Sequence, residues 1–126
     1  MQNQKSALGL DGNVTALLGY IIGIVALILI FIEKDNKFVR FHALQAVFLF
    51  VAYIVGIIAM MIIGAIVAVA GSMSSTLGTL LGLVWGLLWF LLIVGFLGGL
   101  IYAAIKAFGG NMTKLPIIGN LAEKWA

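Results

Sequence analysis

Residues 43–105 read ALQAVFLFVAYIVGIIAMMIIGAIVAVAGSMSSTLGTLLGLVWGLLWFLLIVGFLGGLIYAAI, and no Asp, Glu, Lys, Arg or His occurs among them. A membrane crossing takes about 20 helical residues, so this run is too long for one and about right for two. Its only polar interruption, Gly71-Ser72-Met73-Ser74-Ser75-Thr76, reads as a short turn. Two spans are therefore expected, at about 41–70 and 77–105. Each exceeds the length a crossing needs, which implies tilt, bending or protrusion into the headgroups.

Upstream, residues 14–32 form another uncharged apolar run. As a helix it would be roughly 28 Å long, against a hydrocarbon core of about 30 Å. Asn13 is placed to cap its N-terminus through a side-chain oxygen, and Glu33, Lys34 and Asp35 end it. The segment before it, MQNQKSALGLDGN, has no apolar run of its own, and no small-x-small exit follows. A retained span is expected rather than a cleaved signal peptide.

Beyond Lys106 the pattern changes. Gly109-Gly110-Asn111 breaks the helix, and Pro116 is suited to start another. Ile117, Ile118, Leu121, Ala122 and Trp125 then share one face, with Gly119, Asn120, Glu123 and Lys124 opposite. That is a short amphipathic helix at about 116–125 whose Trp suits the membrane interface; the alternative is a tail docked on the protein's own loops. The expected fold is thus an all-α integral membrane protein: three transmembrane helices plus a C-terminal interfacial helix, in a single membrane domain.

Composition agrees. The chain has 126 residues, 64% hydrophobic and 9% charged, and its mean hydropathy is +1.27. Soluble domains carry about a quarter of their residues as charges, so the solvent for most of this surface must be lipid. The net charge of +3 does not come from a basic stripe among aromatics, which argues against nucleic acid. Basic residues beside apolar runs point instead to anionic headgroups. The absence of cysteine excludes disulfides and thiolate chemistry.

Orientation follows from Lys and Arg. With three spans, Lys5 and the 71–76 turn fall on one side, and Lys34, Lys37, Arg40, Lys106, Lys114 and Lys124 on the other. That bias expects a cell-membrane protein with the 33–42 loop and C-terminus cytoplasmic and the N-terminus outside.

Small residues recur at helical spacing: Gly78, Gly82 and Gly86, then Gly95 and Gly99, with Gly19 and Gly23 on the first span and Gly56 and Gly64 on the second. Lipid supplies no hydrophobic force between helices, so close approach over such residues is expected to hold the bundle together or to meet a second protomer. The most distinctive polar stretch is Phe38-Val39-Arg40-Phe41-His42-Ala43-Leu44-Gln45. His42 and Gln45 share a helix face. In the three-span arrangement Glu33, Arg40, His42, Gln45, Tyr102 and Lys106 meet at the cytoplasmic boundary. Such a cluster either binds a headgroup, peptide or ion, or hydrogen-bonds helices together while Arg40 and Lys106 snorkel to phosphates.

No catalytic, cofactor-binding or metal-ligating set emerges. One His and no Cys give neither a dyad nor a metal cluster, and no charge lies within a span. An enzyme is not expected.

The segments GLDGNVTALLGY (9–20), IEKDNKFVRFHALQAV (32–47) and KLPIIGNLAEKWA (114–126) resemble the Tic-twenty-like proteins. These are small bacterial and archaeal membrane proteins of unknown function, with a chloroplast inner-envelope protein-import component as namesake and magnetosome membrane proteins as relatives. The resemblance spans nearly the whole chain and is most specific at residues 38–45. It implies a non-enzymatic helper or scaffold in a membrane complex, linked to protein import, insertion or membrane organisation, and it brings no catalytic residues. The alternative is a small channel or transporter formed by oligomers. The expected partners are the lipid bilayer, through anionic headgroups, and a second copy or another membrane protein.

Overall fold

A computed structural model describes residues 4–126, and all the regular structure there is helical: α1 (Gly12–Ile21), α2 (Gly23–Ile32), α3 (Lys37–Met73), α4 (Ser75–Phe108) and α5 (Ile118–Trp125). The chain groups into two compact units, one of residues 4–50 and Gly98–Ala126, the other of Val51–Leu97.

Two helices, α3 and α4, are long and apolar enough to cross a membrane. The third expected span does not exist as one helix. Residues 14–32 break at Ile22, whose backbone is extended (φ −118°, ψ 95°), into two ten-residue helices of about 15 Å each. Each is half the thickness of a hydrocarbon core, the length of a re-entrant or buried segment.

These two helices fold back on each other. A Cβ placed on Gly19 would lie 3.5 Å from Ala26 Cβ, whereas seven residues of continuous helix span about 10.5 Å. The ends agree: Asn36 Nδ2 donates to Gln4 O (3.0 Å), and Ala7 N–H donates to Glu33 Oε2 (2.6 Å). Residues 4–7 therefore lie against residues 33–36, not on the opposite side as a single span would require. Close approach explains Gly23, which faces the Phe50 ring that a Cβ would approach to 2.9 Å; at Gly19 a Cβ would make ordinary contact with Ala26.

Local chemistry sets the other boundaries. Asn13 does not cap α1; the cap position is Asp11, and Asn13 Nδ2 donates to Phe108 O (3.0 Å). Asn36 caps α3, its Oδ1 accepting from Phe38 N–H (3.1 Å) and Val39 N–H (3.3 Å). At the end of α4, Asn111 N–H bonds Lys106 O and Gly110 N–H bonds Ala107 O. That paired pattern closes a helix through a left-handed residue, here Gly110 at φ +84°. The α3–α4 turn is tighter than the 71–76 segment suggests, because helix continues to Met73 and only Ser74 interrupts it.

The second unit consists of the facing stretches of α3 and α4. Gly56 receives Leu92, Gly64 receives the Trp85 indole, and Gly71 and Gly78 bring the two backbones together beside the turn. Trp85 Nε1–H donates to Met60 O (2.9 Å), and the Tyr53 and Phe96 rings stack at 4.2 Å. Gly82, Gly86, Gly95 and Gly99 do not pack: a Cβ on any of them would meet nothing within 4 Å. Packing over small residues thus rests on the α3 glycines and on Gly78, while the rest of the first expected α4 strip (Gly82, Gly86) and the glycines of the second (Gly95, Gly99) are open.

Candidate functional site

The first unit contains almost all the buried side chains and, at its centre, a polar network. The first turns of α3 carry His42 and Gln45 inward, both with no exposed surface. Tyr20, near the end of α1 and equally buried, places its hydroxyl 2.7 Å from His42 Nδ1. The segment after α4 completes the ring. His42 Nε2 is 2.9 Å from Asn111 O, Gln45 Nε2 donates to Tyr20 Oη (2.8 Å) and Thr113 O (3.1 Å), and Gln45 Oε1 accepts from Leu115 N–H (2.9 Å).

A carbonyl only accepts, so His42 Nε2 carries the hydrogen facing Asn111 O. Gln45 donates to the Tyr20 oxygen, and the Tyr20 hydroxyl and His42 Nδ1 share the remaining bond, in which the hydroxyl is the donor when the imidazole is neutral. Around it pack the edges and faces of Phe38 (4.6 Å), Phe41 (5.0 Å) and Tyr20 (5.5 Å). Among the described residues, no buried side-chain N or O lacks a hydrogen-bond partner. Chemically, this arrangement fastens α1, α3 and the post-α4 segment to one another and presents no unpaired polar group to a ligand.

The six residues expected to meet fall into three places. His42 and Gln45 form the network. Glu33 and Arg40 belong to the junction of α2 and α3. There the Glu33 carboxylate, 2% exposed, accepts from Ala7 N–H and Asn36 N–H (3.2 Å), while Arg40 Nη1 donates to Ile30 O (2.9 Å) and Glu33 O (3.1 Å). Tyr102 and Lys106 pair on the surface of α4, the ammonium 5.7 Å from the ring centroid, and make no bond to His42 or Gln45.

Sequence reasoning missed Tyr20, Asn36, Asn111 and Thr113, and also the Ser6–Thr15 hydroxyl pair (2.7 Å). Tyr20 was visible in principle, as a phenol in an otherwise apolar run, and Asn36 as a cap residue just before one. Asn111 and Thr113 contribute through backbone carbonyls, which no residue type announces.

The C-terminal helix combines both expected readings. It docks through Gly119 and Ala122, with Ala122 packed against Phe41 and Leu44, while Ile117, Leu121 and Trp125 form an exposed apolar stripe. Gly119 was expected on the polar face. It is buried instead because Lys114 and Gln45 Oε1 fill the space a Cβ would need. Lys114 and Glu123 form an ion pair across this segment.

Fold and site together define an all-helical membrane protein, with two helices of spanning length and a closed polar network beside their charged ends. Comparison with known proteins agrees. Residues 5–122 match the family described as the magnetosome magnetite crystal formation protein family, and the chain belongs to it. It is 35% identical to a UPF0132 membrane protein of Methanocaldococcus jannaschii, covering 97% of this chain and 94% of that one. A second protein of that name from the same organism is 32% identical over 94% of this chain and 73% of its own length. One from Archaeoglobus fulgidus is 30% identical over 89% and 92%. No solved structure matches. The matching family is the relative named by the resemblance rather than the Tic-twenty-like proteins themselves, and the UPF0132 relatives belong to a membrane protein family of unknown function.

Proposed function

We propose that the protein is a non-enzymatic multi-pass membrane protein, serving as a helper or scaffold in a membrane complex. The carrying observation is the closed network: every polar side-chain atom of Tyr20, His42 and Gln45 has a hydrogen-bond partner within the chain itself. A catalytic or transport site needs a polar group free to meet its substrate, and this constellation instead makes a rigid base. Val51–Leu97 has no charge and exposes apolar side chains along both helices, a surface suited to lipid and to helices of other proteins.

The fold also supports a revised topology. With α1–α2 as a re-entrant hairpin and α3 and α4 as the two spans, the chain returns to the side on which it starts. All seven Lys and Arg lie outside Val51–Leu97, at positions 5, 34, 37, 40, 106, 114 and 124. The positive-inside rule then puts the N-terminal segment, the 33–36 loop and the C-terminus in the cytoplasm. A re-entrant hairpin is tolerated at membrane depth where protein covers its broken backbone, as Phe50 does at Gly23.

The resemblance supports protein import, insertion or membrane organisation as the process, while the matched family's description names magnetosome magnetite crystal formation. Proximity crosslinking in the native membrane, with identification of the captured proteins, tests the helper role. Reproducible capture of translocation or insertion factors supports import. Ion flux through the purified protein in liposomes, without such capture, would instead establish the oligomeric channel.

A further inference from the structure

Between the end of α2, the start of α3 and the end of α5 lies a cleft of about 330 Å³, lined by Ile30, Phe31, Arg40, Leu44, Phe48 and Trp125. We propose that it is a binding site for one anionic glycerophospholipid, with the phosphate on Arg40 and an acyl chain along Leu44 and Phe48.

The order of the lining residues carries this assignment. Arg40, Leu44 and Phe48 are spaced at i, i+4 and i+8 on α3, so they form a single stripe that descends about 6 Å per step. Its charged member lies next to the charged loop, and its apolar members lead toward the uncharged part of the helix. Charge at one end and hydrocarbon below is the polarity of a phospholipid, not of a soluble anion or a fully apolar guest. The volume falls within the range of small-molecule sites, ~300–1,000 Å³.

Arg40 is prepared for a phosphate. Its Nη1 is held by the carbonyls of Ile30 and Glu33 at the C-terminus of α2, which fixes the guanidinium plane. Nε and Nη2 donate to no acceptor among the described residues, and no carboxylate there forms an ion pair with Arg40. The acids of the chain do not compensate the charge. Glu33 turns its carboxylate to the Ala7 and Asn36 N–H groups, and Glu123 pairs with Lys114; Asp35 stands in the exposed loop. A guanidinium with two free parallel donors is the group best matched to a phosphate oxygen pair. Trp125, 63% exposed, walls the cleft from α5. Together with Leu121 and Ile117 it presents the amphipathic edge typical of residues at headgroup depth.

Native mass spectrometry of the full chain, released from detergent with phosphatidylglycerol or phosphatidylcholine of identical acyl chains, tests the site. The wild type is expected to retain one phosphatidylglycerol about tenfold or more over phosphatidylcholine, whose phosphate is the same but whose choline cation cancels the negative charge that Arg40 would meet. Arg40→Gln is expected to remove that preference. Trp125→Ala is expected to lower retention of both lipids several-fold while keeping the preference. Glycerol 3-phosphate at millimolar concentration is expected not to displace the lipid. Equal retention of the two lipids by the wild type overturns the proposal, and so does displacement by the free headgroup, which would make this an anion site only. Should Arg40→Gln fail to fold, Trp125→Ala decides, since its side chain is exposed: unchanged retention places the lipid elsewhere.

Discussion

Each unit takes in a stretch of the long helices α3 and α4, yet the two are held together differently. In residues 4–50 and Gly98–Ala126 the side chains of Tyr20, Leu29, Val39, Phe41, His42 and Gln45 are fully buried, and polar groups are tied in pairs and rings. In Val51–Leu97 only Met60 is buried, and contact rests on glycines that accept Leu92 and Trp85. The difference follows from the solvent each is made for. A unit rich in loops must satisfy its backbone with its own side chains, or lose the desolvation energy of every unpaired group. Two continuous helices satisfy their own backbones and need only close approach.

The largest expected effect is all-or-none and concerns sidedness. Single cysteines at the exposed positions Leu8 and Asn111 are expected to react with an impermeant maleimide only after permeabilisation, and one at Ser74 in intact cells. Reaction of Leu8→Cys from outside would restore the straight first span and dissolve the re-entrant hairpin.

Next comes the network itself. Gln45→Ala removes bonds to Tyr20, Thr113 and Leu115, and should lower unfolding stability in detergent by roughly 3 kcal/mol or more, since each unsatisfied buried group costs about 1–3 kcal/mol. Hydrogen bonds between helices in lipid average only about 0.6 kcal/mol. A loss of that smaller size, read from chemical denaturation, would mean that the first unit is no more water-excluding than the second, and the contrast between them would fail.

A third change tests the dock of α5. Gly119→Val places a branched side chain where Lys114 and Gln45 already sit, and is expected to cost about 1–3 kcal/mol by overpacking. Release of α5 should appear as faster proteolysis of the C-terminal segment, with Val51–Leu97 unaffected. Uniform destabilisation of the whole chain would show instead that the two units unfold as one.

How far the sequence reveals this architecture depends on the kind of signal. Hydropathy marks α3 and α4 because length and lack of charge are visible in any window. It cannot mark the break at Ile22, since the same apolar residues suit one straight span or two half-length helices, and the choice is made by contacts of Tyr20 and Phe50 with distant residues. His42 and Gln45 stand out as polar side chains entering an apolar run. Their partners are mostly carbonyls and N–H groups of residues 111–115, and their meeting with Tyr20 depends on the hairpin that the periodicity conceals. The three-span topology groups Glu33 and Arg40 with them, by placing the ends of the first and third spans at one boundary. The structure separates them, because Glu33 caps the end of α2 and Arg40 turns to the carbonyls of that same end.

The smallest expected effect is the sharpest probe of the second unit. Gly82 and Gly86 lie four apart on α4 with open space where a Cβ would be, as do Gly95 and Gly99. Spacing alone marks all four as contact residues, and within one chain they touch nothing. Gly82→Leu should therefore change the stability of the isolated chain in detergent by no more than about 0.5 kcal/mol, the ordinary size of a surface change. Gly64→Leu serves as the paired control: a Cβ there would stand 2.9 Å from the Trp85 indole, and overpacking should cost about 1–3 kcal/mol. Thermal unfolding of both variants, with mass measured by light scattering, separates two roles for the open strip. If Gly82→Leu is silent and mass is unchanged, the strip faces lipid. If it halves the mass of the wild-type particle, the glycines are the seat of a second copy, and the weakly packed unit is complete only in the oligomer.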